Sequence, residues 1–221
     1  MNTNKFWIRA FGIFGIFGGL ILFSGDMLFY YSTESIDFAE NMSKVSDNRI
    51  IISGVSALIA TWFYLLGLGQ VYYAFKSSVF KNTVIISFAS LLILYGIVHS
   101  AYTGIAISAK LAAQNNLDIT ESIALALKTN KILRLFGYPV FLFLSVFFLS
   151  QVWKRKTLYP RWIMFFFPLI PFLLQFVLSE ILSGTLWLVV MGGYLNLILV
   201  LFFLASTVAL WNKTQLKPEG N

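Results

Sequence analysis

Residues 7–31 read WIRAFGIFGIFGGLILFSGDMLFYY, and beyond Arg9 the only charged residue in the run is Asp26. The run is longer than the roughly 20 residues that cross ~30 Å of hydrocarbon. Five more apolar stretches of comparable length follow, over residues 50–75, 83–108, 132–152, 162–182 and 185–211, and together they fill most of the 221-residue chain. Hydrophobic residues make up 58% of the sequence and charged ones 11%, against about 45–50% and 25% in soluble domains. In lipid every span must satisfy its own backbone, and unbroken runs of this length do so as helices. The expected fold is therefore all-α: one polytopic domain over residues 1–221 with six transmembrane helices.

Charge placement sets the expected orientation. The net charge is +7, which in a soluble protein would suggest nucleic acid. Here the basic residues sit in the connections between apolar runs. Alternating the loops gives one side Lys5, Arg9, Lys76, Lys81, Lys154, Arg155, Lys156, Arg161, Lys213 and Lys217, and the other Lys44, Arg49, Lys110, Lys128, Lys131 and Arg134. The richer side faces the cytoplasm by the positive-inside rule, so both termini are expected there, in a plasma (inner) membrane. Lys154-Arg155-Lys156 reads as a headgroup anchor, and nucleic acid is not an expected partner. Lys5 and Arg9 flank the first run as in a signal peptide, but the run is too long and lacks an A-x-A-like site, so a retained helix is expected.

The chain has no cysteine, which removes disulfides, thiolate catalysis and cysteine-based metal sites. With a single histidine no metal is expected, and no cofactor is implied. Asp118 followed by Thr120 and Glu121 reads as the capped start of a short helix on the outer surface. Ser183-Gly184 is expected to join the last two spans as a tight hairpin. Pro168 and Pro171 fall inside the fifth and should bend it, freeing carbonyls that neighbours must satisfy. No repeat relates the two halves.

The candidate site comes from polar residues inside the spans. At 100° per residue, Gly12, Gly15, Gly19, Asp26 and Tyr30 share one face of the first helix, so Asp26 is expected to point into the bundle. On the third, His99 shares a polar stripe with Tyr95, Tyr102, Thr103 and Lys110. On the fourth, Arg134 and Tyr138 share a face; Glu180 lies in the last turn of the fifth, and Asn196 at mid-depth in the sixth beside Gly192 and Gly193. With cytoplasmic termini these residues fall in the outer half or near the midplane, leaving Gln70 as the main polar residue of the inner half. Ionisable groups buried in a membrane and facing a common interior mark a functional site. An outward funnel is expected, with Arg134 and Glu180 at its rim, Asp26, Tyr30 and Tyr138 in its wall and His99 and Asn196 at its floor. His99, tuned by Asp26, is the proton-transfer candidate, and Tyr30, Tyr95, Thr103, Arg134, Tyr138, Glu180 and Asn196 are the ligand-binding candidates.

The stretch FSGDMLFYY at residues 23–31 resembles the first helix of small bacterial six-helix membrane proteins classed as uncharacterised, a resemblance that brings no activity with it. The grouping of acids, histidine and asparagine in a membrane cavity is similar in kind to emopamil-binding sterol isomerases, with no residue carried across. The leading expectation is a protein that binds, or acts on, a lipid or small amphiphile entering from the outer leaflet, with membrane lipids as partners. One alternative is a proton-coupled transporter carrying protons on Asp26, His99 and Glu180, expected as a homodimer through the glycine face of the first helix. The other is a non-catalytic partner subunit recognised through residues 32–48 and 110–131.

Overall fold

The computed structural model describes residues 3–76 and 79–213; Lys217 of the charge pattern lies outside them. The fold is all-α. Its helices are α1 (Thr3–Tyr30), α2 (Phe38–Lys44), α3 (Asp47–Ala74), α4 (Val79–Gln114), α5 (Ile119–Trp153), α6 (Leu169–Ile181), α7 (Gly184–Gly192) and α8 (Tyr194–Leu210), with a 3-10 segment, Arg161–Phe166, before α6. Four helices, α1, α3, α4 and α5, are long and apolar enough to cross a membrane, and α7 with α8 forms a fifth candidate span if the bent pair is one.

Glycine decides how α1 packs. A Cβ on Gly67 of α3 would lie 2.6 Å from the Gly15 Cα, so two backbones cross there with no room for a side chain. Gly12 faces Gln70 and Thr207, and Gly19 faces Val200 of α8. The glycine stripe is thus used in contacts within the chain, where small residues let helices approach closely. At the crossing the Phe203 ring lies against both glycines, and Phe88, Phe148, Phe167, Phe202 and Phe203 are all fully buried; Phe148 stacks on Phe167 with centroids 4.3 Å apart, and Phe202 meets Phe203 edge to face at 5.4 Å. These rings form an apolar layer across the bundle.

Three elements differ from the sequence expectation. First, α4 and α5 contain 36 and 35 residues, about 54 and 52 Å at 1.5 Å per residue, well beyond a ~30 Å hydrocarbon core. The capped segment at Asp118 is therefore no separate surface helix. Asp118 does accept the Glu121 N–H at 2.8 Å, but the helix it starts runs unbroken to Trp153. The turn between α4 and α5 places Asn116 at φ 54°, a left-handed conformation that asparagine tolerates better than most residues.

Second, the expected fifth helix over 162–182 is broken. Pro168 has no N–H to give and pushes the residue before it toward extended backbone, and Phe167 has φ −67° and ψ 137°. The chain therefore climbs as a 3-10 segment, breaks, and restarts as α6. Pro171 falls in the first turn of α6, where a missing N–H costs nothing; its carbonyl accepts the Tyr194 hydroxyl at 2.6 Å.

Third, the expected sixth helix bends by 66° at Gly193. The Phe23 ring of α1 occupies the space a Cβ on Gly193 would need, so only glycine allows the bend against α1. The segments before and after α6 run between the two ends of the bundle. At one end, Arg9 Nε donates to the Trp211 carbonyl at 2.9 Å, and its guanidinium lies 4.4 Å from that ring. At the other, Trp187 of α7 stacks on Phe38 of α2.

Candidate functional site

The site begins with a carboxylate inside the bundle. Asp26 sits on the inward stripe of α1 and is only 8% exposed, His99 of α4 is 5% exposed, and Asn196 is buried two residues into α8. Asp26 Oδ1 is 3.0 Å from His99 Nδ1, and Asp26 Oδ2 accepts from Asn196 Nδ2 at 2.6 Å. Asn196 Oδ1 in turn accepts the Tyr64 hydroxyl of α3 at 3.2 Å. On the far side of the ring, His99 Nε2 lies 3.1 Å from both the hydroxyl and the carbonyl of Ser53. One chain of polar contacts therefore joins α1, α3, α4 and α8.

Counting protons fixes its electrostatics. Ser53 has a single hydroxyl proton and donates it to the Gly25 carbonyl at 2.7 Å. His99 Nε2 faces acceptors at Ser53 and so carries a proton there. One further proton is then shared between His99 Nδ1 and Asp26, either as imidazolium beside carboxylate or as imidazole beside carboxylic acid, and the pair is neutral overall in both forms. A buried pair of this kind avoids the cost of an isolated charge in a low-dielectric interior.

Ser53, His99 and Asp26 have the connectivity of a Ser-His-Asp triad, but not its access. Ser53 is completely buried and its hydroxyl is held by the Gly25 carbonyl, while a nucleophile must reach substrate. The carboxylate and imidazole are the members that face open space; Ser53 anchors the ring from behind.

That open space is a cavity of about 830 Å³ beside the dyad, within the roughly 300–1,000 Å³ typical of small-molecule sites. Asp26, His99 and Asn196 lie on one side of it, with Tyr30, Tyr95, Tyr102 and Tyr194 around them. On the opposite side, α5 contributes Arg134, Gly137, Tyr138 and Phe141, and α6 contributes Phe172, Gln175, Phe176 and Ser179. Each of these sets follows helical i, i+3, i+4, i+7 spacing, the signature of one face. Among the described residues of α6 only Pro171 is buried, and Phe176 is 68% exposed and Tyr138 49% exposed. The wall between α5 and α6 thus opens sideways, toward the surface that apolar side chains cover.

Asp26, Tyr30, Tyr95, His99, Arg134, Tyr138 and Asn196 all reach this cavity. Thr103 and Glu180 do not. The Thr103 hydroxyl donates to the Ser100 carbonyl, and its methyl lies against Gly54, because α3 crosses α4 at that level. Glu180 is exposed; it follows Ser179 by 100° and so points away from the lining stripe of α6. Sequence reasoning missed Ser53 and Tyr64, and it placed Tyr102 on the stripe of His99 without making it a ligand-binding candidate. The first two share a small-residue face of α3 with Ser56, Ala57 and Ala60, a stripe visible in the sequence.

A second polar cluster sits deeper in the bundle. Gln70 Nε2 donates to the Ile8 carbonyl at 3.0 Å, and Gln70 Oε1 accepts the Ser206 hydroxyl at 2.6 Å. With its proton so committed, Ser206 accepts from the Tyr159 hydroxyl at 2.8 Å. A network around Gln70 therefore lies toward the end of the bundle where Arg9 meets Trp211. Among the described residues no group of three or more His, Asp or Glu is placed to hold a metal ion.

Comparison with known proteins adds family membership. No curated protein and no solved structure matches the chain. One family model matches residues 1–213, nearly the whole length, so the bundle and its cavity lie within the matched region, and the chain belongs to the family of unknown function DUF6796.

Proposed function

We propose that this is an integral membrane protein of the plasma (inner) membrane that binds a lipid or small amphiphile in the cavity between α1, α4, α5 and α6. The observation that carries the reading is the cavity itself: an aromatic wall open sideways between α5 and α6, ending on the polar set Asp26, His99 and Asn196. An alkyl or ring portion would lie along the aromatic wall, and a polar group would be held by the charged or hydrogen-bonding side chains that line the cavity. Counting the 3-10 segment with α6 as one passage and α7 with α8 as another, the chain makes six passages, with both ends on the basic, cytoplasmic side. The cavity then lies in the outer half.

A proton-coupled transporter has less support, since among the described residues no hydrogen bond links the dyad to the Gln70 network, and the fully buried Phe203 lies between Asn196 and Thr207 along α8. Chemistry on the bound molecule has one specific observation in its favour. Asp26 and His99 share a single proton at the cavity wall, the arrangement that general acid-base catalysis uses.

Native mass spectrometry with lipid extraction, on wild type beside Leu94→Trp, tests the reading. Leu94 lines the cavity and is partly exposed, so the larger ring takes up cavity space. A co-purifying amphiphile present in wild type and lost in the variant supports binding there. An amphiphile retained equally by both, or none in wild type, overturns it.

A further inference from the structure

We infer that the amphiphile is a single-chain lipid with an anionic head, carboxylate or phosphate, held by Arg134. This deepens the proposed binding function and rests on it. The argument is one of charge balance around the cavity. Asp26 is compensated by His99 and receives a hydrogen bond from Asn196, so the floor presents no net charge to a ligand. Asp37 also reaches the cavity, but its carboxylate accepts the Glu40 N–H at 2.9 Å as the cap of α2. Arg134 is different. It lines the cavity, and among the described residues no ion pair or hydrogen bond engages its guanidinium. Lys44 and Lys110 already pair with Glu40 and Asp47, and Lys128 and Lys131 of α5 are exposed and do not line the cavity.

A guanidinium with five donors and no acceptor beside an apolar chamber lacks an anion. Carboxylate and phosphate both fit its fork, and each bond would be charge-assisted. Arg134 is also exposed, so it sits where the cavity opens, one turn from Tyr138. A head held there directs the chain inward along Tyr138, Phe141 and Phe172 toward the dyad. One cavity of about 830 Å³ suits one chain better than the paired chains of a bilayer phospholipid.

The test measures binding to the full-length protein in neutral detergent by thermal shift and by tryptophan quenching with brominated analogues. The probes are palmitic acid, lysophosphatidic acid, uncharged monopalmitin and diacyl phosphatidylglycerol. The proteins are wild type, Arg134→Gln, Arg134→Lys and Leu94→Trp. The expected result is that Arg134→Gln weakens palmitic or lysophosphatidic acid about ten-fold or more, as loss of a charge-assisted pair should. Arg134→Lys should recover part of this, and monopalmitin should bind both proteins alike.

Equal effects of Arg134→Gln on acid and glyceride, or no effect on either, would overturn the anionic head while leaving amphiphile binding intact. Phosphatidylglycerol binding in preference to the single-chain acids would assign Arg134 to a bilayer headgroup and overturn the single-chain ligand. Failure of every probe to bind wild type, or binding unchanged in Leu94→Trp, would remove the binding function itself.

Discussion

At the scale of single residues, the dyad is defined by who holds each proton. Asp26 without His99 would be a buried carboxylate with only Asn196 to answer it, and removing one member of a buried pair costs about 3–5 kcal/mol. His99→Ala is therefore expected to lower the melting temperature in detergent more than Asp26→Asn, which keeps the shape and offers an amide N–H to Nδ1 of a neutral His99, at a cost of about 1–3 kcal/mol. Equal, small shifts in the two variants would show that the pair is not buried as described. Ser53 provides a second test. If it only anchors the ring, a fluorophosphonate should fail to label the protein, and Ser53→Ala should lose about 1 kcal/mol of stability from the lost hydrogen bond to the Gly25 carbonyl. Labelling that disappears in Ser53→Ala would instead make it a nucleophile.

Among the elements, glycine and proline decide the shape. At the Gly15–Gly67 crossing, a methyl would meet backbone, which cannot turn aside as a side chain can. Gly67→Ala is expected to destabilise the bundle by about 1–3 kcal/mol, measured by unfolding in mixed micelles; a neutral result would mean that α1 and α3 are further apart. The join between α6 and α8 depends on the Tyr194 hydroxyl and the Pro171 carbonyl. Tyr194→Phe removes that hydrogen bond and is expected to speed proteolysis or hydrogen exchange in α6 selectively. Uniform exchange along the chain would contradict that role.

Much of this scale was legible in the sequence. The inward face of α1 followed from Gly12, Gly15, Gly19 and Asp26 at helical spacing, and the polar face of α4 from Tyr95 and His99. What could not be read was the consequence of context. Pro168 was visible, but whether a proline bends or breaks a helix depends on whether neighbours hold the two halves in line, and here α6 packs too lightly to do so. Thr103 shared a face with His99 by spacing, yet α3 crosses at its level and covers it. Glu180 was assigned to the rim because nothing in sequence fixes the rotation of α6 about its axis.

For the whole molecule, length and composition were enough to expect helices that can span a membrane, while the partners that gather round Gln70 were not legible. Gln70, Ser206 and Tyr159 are far apart in sequence, and only the packing of α8 against α3 brings them together. The contact between Arg9 and Trp211 puts the start of α1 and the end of α8 at one end of the bundle, so cysteines introduced at Lys5 and Asn212 should react with an impermeant reagent from the same side of the membrane, and one at Asn116 from the other. Reaction of Lys5 and Asn212 from opposite sides would contradict the six passages.

The cavity is where these scales meet, and its occupant is the central claim. The most direct measurement is photo-crosslinking of the wild-type protein in bilayers with a diazirine-bearing alkyl amphiphile, offered as acid and as monoglyceride, followed by peptide mapping. The account predicts label on cavity residues of α4, α5 and α6, such as Tyr95, Tyr138 and Phe172, reduced by unlabelled competitor and by Leu94→Trp. Label confined to outward side chains such as Trp62 and Leu142, and indifferent to competitor, would contradict it.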